Sequence, residues 1–171
     1  YGYGSSTDRT QVGQGKLVTP SAIELTAAAP NATKVDFGFV KPASVGDYVW
    51  FDANKDGLQD SDEPALPDIT ATIVDASGNP VVDASGHPVS AVTTGADGKY
   101  KFENLLPGDY KVSFQAPAGY EATTSGAGDD RALDSNGAEA SVTLVQGQTD
   151  DTIDFGAVGT GVIGDQLFVD V

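Results

Sequence analysis

The chain has 171 residues, no cysteine, no methionine, 21 glycines and a formal charge of −16. So acidic a surface repels phosphate backbones and offers no basic stripe to anionic lipid, and no apolar run is long enough to span a bilayer, so nucleic-acid and membrane roles are disfavoured. No disulfide can reinforce the fold, and residues 1–20 lack the basic start and apolar core of a signal peptide, so the chain reads as a mature fragment or an excised part of something longer.

The first forty residues are informative mainly by self-similarity. Val35-Asp36-Phe37-Gly38-Phe39-Val40 recurs as Ile153-Asp154-Phe155-Gly156-Ala157-Val158, and Val45-Gly46-Asp47 recurs as Ile163-Gly164-Asp165, both at an offset of 118 residues. A period of that length is an ordinary size for a small domain. The expected organisation is therefore the C-terminal strands of a preceding repeat over residues 1–42, a complete domain over 43–158, and the first strand of a following repeat over 159–171. Ser21 to Leu25 alternates as Ala140 to Leu144 does, which extends the match upstream.

Within the complete domain, short alternating runs bounded by Gly, Pro, Asn and Asp predict strands over 45–52, 68–74, 89–94, 99–103, 109–115, 140–145 and 152–157. Seven such strands predict an all-β antiparallel sandwich. In the first strand Val49 and Phe51 share one face and Tyr48 and Trp50 the other. The aliphatic face is taken as core, with Ile69, Ala71, Ile73, Tyr100, Phe102, Tyr110, Val112, Phe114, Val142, Leu144, Ile153 and Phe155. The aromatic pair is expected to lie partly exposed beside the loop that follows.

That loop, residues 52–63, reads Asp-Ala-Asn-Lys-Asp-Gly-Leu-Gln-Asp-Ser-Asp-Glu. Asp52, Asn54, Asp56, Asp60 and Glu63 fill positions 1, 3, 5, 9 and 12 of a calcium loop, Gly57 takes the turn position 6, and Leu58 offers its carbonyl at position 7. Five carboxylates in twelve residues repel one another unless a cation sits among them. The competing reading is an acidic solvated turn, since Asn, Asp and Gly also favour turns for local reasons. The flanks are β-prone on one side and carry Pro64 and Pro67 on the other, so the expected ion is structural and not a trigger that moves two helices apart.

Further along, Val74-Asp-Ala-Ser-Gly-Asn-Pro-Val81 is followed at once by Val82-Asp-Ala-Ser-Gly-His-Pro-Val89. Each copy reads as a turn between short β-prone pieces, and His87, the single histidine, occupies the turn position of Asn79. A second acidic cluster, Asp129 to Gly137, lies in a glycine-rich connection. Asp129, Asp130, Asp134 and Asn136 supply part of a cation shell, completed by Asp47 or Asp154 from strand ends; a solvated Asn-Gly turn is the alternative.

Taken together, these segments resemble the SdrD B-like domains, the B repeats of serine-aspartate-repeat surface proteins, within the wider collagen-adhesin B-type group. The match runs through Val45 to Glu63, Thr94 to Leu105, Pro107 to Val112, Pro117 to Tyr120, Asp134 to Gly137 and Ile153 to Gly156. The resemblance implies a Greek-key β-sandwich of the prealbumin type, calcium at the first loop and at the Asp-Ser-Asn-Gly region, and service as a stiff spacer. Many relatives carry an intramolecular lysine–asparagine isopeptide bond promoted by a glutamate. Here Phe114 stands at the glutamate position, the first strand has no lysine and the last strand offers Asp154, so no isopeptide is expected.

The function expected is that of a non-enzymatic, calcium-stabilised module of an extracellular bacterial stalk or filament built from tandem repeats. Its partners would be neighbouring repeats of the same protein, with head-to-tail polymerisation by strand addition as a further possibility. The alternative is an adhesive module whose loops or Tyr48/Trp50 face contact a host or matrix ligand. Catalysis is the poorest option, since one turn histidine and no cysteine leave the usual nucleophile and base pairings unfilled.

Overall fold

The structure is a computed structural model that describes residues 2–5 and 37–161. Expectations that fall on residues 6–36 and 162–171, including the alternation at Ser21 to Leu25 and the first strand of a following repeat, lie outside the described residues. Eleven strands are present among those described: β1 (Gly2–Ser5), β2 (Phe37–Val40), β3 (Ala43–Phe51), β4 (Thr70–Asp75), β5 (Val92–Thr93), β6 (Lys99–Leu105), β7 (Gly108–Gln115), β8 (Tyr120–Ala122), β9 (Glu139–Leu144), β10 (Thr149–Asp150) and β11 (Phe155–Gly159). All seven strands expected from the alternation are there. β1 and β2 pair antiparallel with each other.

The remaining strands form two sheets. In one, β3 is flanked by β6 on one side and by β10 and then β11 on the other, with β8 beyond β11; the second runs β5-β4-β7-β9. Alternation alone does not reveal strand direction, and here the first sheet is mixed: β10 and β11 both run parallel to β3. The consequence is positional. A chain that begins on β3 and finishes on the parallel β11 starts and finishes at opposite ends of the sandwich, called here the leading end (Ala43) and the trailing end (Gly159).

The inner faces supply one core by two-residue alternation, as in the buried Tyr100 and Phe102 of β6 and the buried Tyr110, Val112 and Phe114 of β7; Leu105 joins it out of step, after the left-handed Asn104. Phe114 stacks on Phe155 at 5.1 Å and meets Tyr100 edge-on at 5.2 Å, so the sheets are joined by an aromatic wedge worth more than its area alone. The Tyr100 hydroxyl donates to the Ile153 carbonyl at 2.6 Å, which satisfies the one polar atom this wedge buries and fixes the approach to β11.

Two expectations about β3 need correction. Trp50 is not an exposed partner of Tyr48 but fully buried. Its cover is local: Ala65 bridges Trp50 from the segment after the loop, and a Cβ at Gly156 would sit 2.8 Å from the indole ring, so the glycine lets β11 lie against it. Phe51, assigned to the core, is only half-buried at the trailing end, where it meets Tyr120 edge-on at 5.9 Å.

The duplicated segment folds as two equivalent hairpin turns. In each, an aspartate side chain accepts from the backbone two and four residues on: Asp75 from Ser77 and Asn79, Asp83 from Ser85 and His87. Gly78 and Gly86 supply the left-handed residue, at φ 87° and 85°. His87 is a turn residue, as expected, 3.8 Å from Asp83.

Candidate metal centre

β3 ends by delivering Asp52 into the interior, where it is 0% exposed. Its carboxylate accepts from the Lys55 amide at 2.6 Å, the Gly57 amide at 2.9 Å and the Thr123 hydroxyl at 2.5 Å. Burial acts to raise its proton affinity, but the hydrogen bonds from Thr123, Gly57 and Lys55 more than offset it, so the carboxyl is held below its ordinary value. Asp52 is thus an anion around which the loop backbone is wound. Gly57 makes the turn at φ 80°, and a Cβ there would lie 2.5 Å from the Thr124 carbonyl. Gly57→Ala is expected to cost about 1–3 kcal/mol of stability, from backbone strain and the displaced segment, read as a lowered midpoint in chemical unfolding.

The other loop positions converge in part. The Asn54 amide nitrogen lies 2.9 Å from an Asp56 oxygen and 3.0 Å from an Asp60 oxygen, so those two oxygens are no more than about 5.9 Å apart. The Asn54 side chain thus ties Asp56 to Asp60, and its own oxygen accepts from the Asp56 amide at 2.9 Å. Glu63 folds back over the loop, accepting from the Ala53 amide at 2.7 Å and the Asp60 amide at 3.3 Å. Among the described residues no three carboxylate or imidazole groups are already closed around a single point. Binding an ion would therefore require the carboxylates of Asp56, Asp60 and Glu63 to swing inward.

The second acidic segment proves to be a neighbour of the first. Leu58 and Asp134 form an antiparallel bridge, in which the Gln59 amide donates to the Leu133 carbonyl at 2.8 Å and the Ser135 amide to the Gly57 carbonyl at 3.0 Å. Asp134 and Ser135 are buried, and Asp129, Asp134 and Asn136 line a common cavity of about 510 Å³ with Arg131 and Glu139. Asp130 lies outside that lining and organises the exposed turn, accepting from the Ala132 amide. Asn136 does not face the cavity with its carbonyl: that oxygen accepts from the Asp154 amide at 2.6 Å, while the Asn136 amide donates to the Asp154 carbonyl at 2.9 Å.

Asp154 is the residue with the most distinctive environment. It stands where the parallel pairing of β3 passes from β10 to β11, and one oxygen takes the Tyr48 amide at 3.1 Å in place of a ladder carbonyl. The other oxygen is buried and has no hydrogen-bond partner. Burial first, then the charge of Asp47, with Asp134 and Asp150 adding to it, pushes the Asp154 carboxyl up to about 8. Burial and the charge of Asp151 likewise raise Asp47. A buried anion facing other anions with an unsatisfied oxygen is costly unless a cation or proton accompanies it. The sequence offers Asp154 only as one of two strand-end oxygens, with Asp47; its burial and its position in the gap between β10 and β11 come from the parallel pairing with β3, which no local spacing encodes.

The model of the family described as SdrD B-like domain matches residues 43–157. The chain is 41% identical over 133 residues to serine-aspartate repeat-containing protein D of Staphylococcus aureus (strain Newman), an alignment covering 77% of this chain and 9% of that protein. It is 33% identical over 172 residues to serine-aspartate repeat-containing protein F of Staphylococcus epidermidis, covering 99% of this chain and 9% of the relative. The chain thus spans about a tenth of the length of these relatives. Among solved structures, the minor pilin GBS52 of Streptococcus agalactiae aligns with 78% of this chain and 50% of its own at 17% identity and a TM-score of 0.47. The major pilin subunit BcpA of Bacillus cereus aligns with 72% of this chain and 31% of its own at 15% identity and a TM-score of 0.42.

Proposed function

Because the chain belongs to the SdrD B-like domain family, we propose that residues 43–158 are a calcium-stabilised structural module, one of a tandem series in an extracellular stalk or filament on a bacterial surface. The family is a structural one, and the chain is not an enzyme. The observation that carries the calcium reading is the buried Asp154 oxygen without a partner, set among Asp47, Asp134 and Asp150 and one bridge away from a loop with calcium-ligand spacing. In this reading Asp52, Asn54, Asp56, Asp60, Glu63 and the Leu58 carbonyl hold one ion. Asp134 and Asp154, with Asp47 and Asp129 contributing, hold another. Bound calcium supplies fixed positive charge that lets the carboxylates pack; the protein's own part is to present hard oxygen donors on a rigid sandwich.

The adhesive alternative loses part of its aromatic surface, since Trp50 is buried and only the half-buried Tyr48 remains partly exposed there. The test is thermal unfolding of the full chain in millimolar calcium and in excess chelator. A site present only in the folded state adds about 2.7 kcal/mol at a hundredfold excess over its dissociation constant, which raises Tm by roughly 10 °C for a domain of this size. Magnesium, which demands tighter octahedral geometry, is expected to give less. Equal midpoints in calcium and chelator would refute the reading.

A further inference from the structure

The structure also bears on how successive modules meet. β3 runs from the leading to the trailing end, β6 and β4 run back, and β7 runs forward again, as their registers show. Both duplicated hairpins therefore crown the leading end, with the Ala84 amide bonded to the Asn104 carbonyl at the close of β6. The β9–β10 turn lies there too, its Gly147 amide donating to the Lys41 carbonyl at 3.0 Å. The loop 52–63 and the segment around Leu133 and Tyr120 crown the trailing end.

Exposed large apolar side chains of the sandwich follow the same division among the described residues. Val82 and Val145 lie at the leading end and Tyr120 and Leu133 at the trailing end; the other exposed large apolar residue among those described, Phe39, is on β2, ahead of the leading end and outside the sandwich. The spacing between modules is short. β2, the counterpart of β11 by the 118-residue offset, ends at Val40, and β3 begins at Ala43. Two intervening residues span at most roughly 11 Å from strand to strand, so the ends of adjacent modules cannot avoid each other. Scattered apolar residues need no explanation, but a set confined to two surfaces that the chain itself brings together does.

We propose that consecutive modules seat end to end, the trailing end of one, with Phe51, Tyr120 and Leu133, packing on the leading end of the next, with Val82 and Val145. The occupant of each surface is a second copy of this module joined in line, and the inference rests on the tandem-module reading. The duplicated hairpins form part of the leading surface. Asp75, Asp83 and Asp109 at that end would face the carboxylates of residues 52–63, so the seating is expected to be firmer when calcium neutralises the loop.

The test is a lengthened chain in which residues 41–158 occur twice in succession, so that the natural offset is kept. The sequence has no cysteine, so Thr72→Cys in both copies accepts one spin label on each module. With calcium, the label-to-label distance distribution is expected to be narrow. Tyr120→Ser in the first copy or Val145→Ser in the second should broaden it severalfold, the latter without moving the unfolding midpoint. A broad distribution in calcium, or a narrow one indifferent to both substitutions, overturns the proposal. The unfolding enthalpy of the same sample should rise in proportion to the added residues if the segment folds as a module. A full rise with a broad distribution sinks the interface alone, whereas no rise sinks the tandem-module reading beneath it.

Discussion

Asp52→Ala is expected to destabilise the chain by about 3 kcal/mol in chelator and to remove the first loop's share of the calcium effect, about 2.7 kcal/mol at a hundredfold calcium excess. The two losses have different origins. Without any ion, the substitution leaves the Lys55 and Gly57 amides and the Thr123 hydroxyl facing a vacated, buried position. Donors that lose a charged acceptor and cannot reach water are among the costliest changes available in a small domain. With calcium, the variant also lacks the first ligand of the loop. Asp52→Asn keeps the size and one acceptor oxygen, so it should recover part of the chelator-state loss but little of the calcium effect. Chemical unfolding of the three proteins in both buffers separates the contributions. A full-sized calcium shift in Asp52→Ala would show that the loop binds no ion through this residue.

Asp154→Asn should act in the opposite sense when calcium is removed, raising stability at neutral and alkaline pH. The ordinary value of the carboxyl is 3.8, and in the folded protein it is pushed up to about 8. Between those values the folded state holds a proton that the unfolded chain has released. The stability is therefore fully present below pH 3.8 and is lost as pH rises through the folded value, with a slope of at most about 1.4 kcal/mol per pH unit for one proton. Asp47, raised by burial and by the charge of Asp151, adds to the pH dependence in the same direction. In chelator the wild-type unfolding midpoint should fall between pH 5 and pH 8, while Asp154→Asn should show a flatter profile and a higher midpoint at pH 8. Calcium should reverse the ranking, since the wild type then has a counter-ion for its buried charge and the variant has lost a ligand. A wild-type profile in chelator that is level across this range would place the origin of any calcium effect elsewhere.

The two acidic segments were legible one at a time and their union was not. Position-by-position spacing identifies Asp52 to Glu63 because the ligands of a calcium loop are consecutive in sequence. The neighbouring segment is held by the Leu58–Asp134 bridge, a contact across 76 residues that no local pattern encodes. The fold shows the same contrast. Alternation located the seven main strands, including the burial of Tyr100, Phe102, Tyr110, Val112 and Phe114, because one face of each strand meets the opposing sheet. It missed β8 and β10, short segments of three and two residues that contribute no large apolar side chain to the core. It also misassigned Trp50, since the cover over that side chain comes from Ala65 and from a glycine that has no side chain to announce itself. Strand direction was equally silent, and the parallel β3–β11 pairing proves decisive for where the module's two ends lie.

The central claim is that these paired acidic segments are a structural calcium centre, and calorimetric titration of the full 171-residue chain with calcium addresses it most directly. The account predicts at least two ions per chain, with Asp52→Ala abolishing one binding event and Asp134→Ala another. Absence of binding at millimolar calcium, or a stoichiometry untouched by both substitutions, would contradict it and leave the two segments as acidic solvated turns.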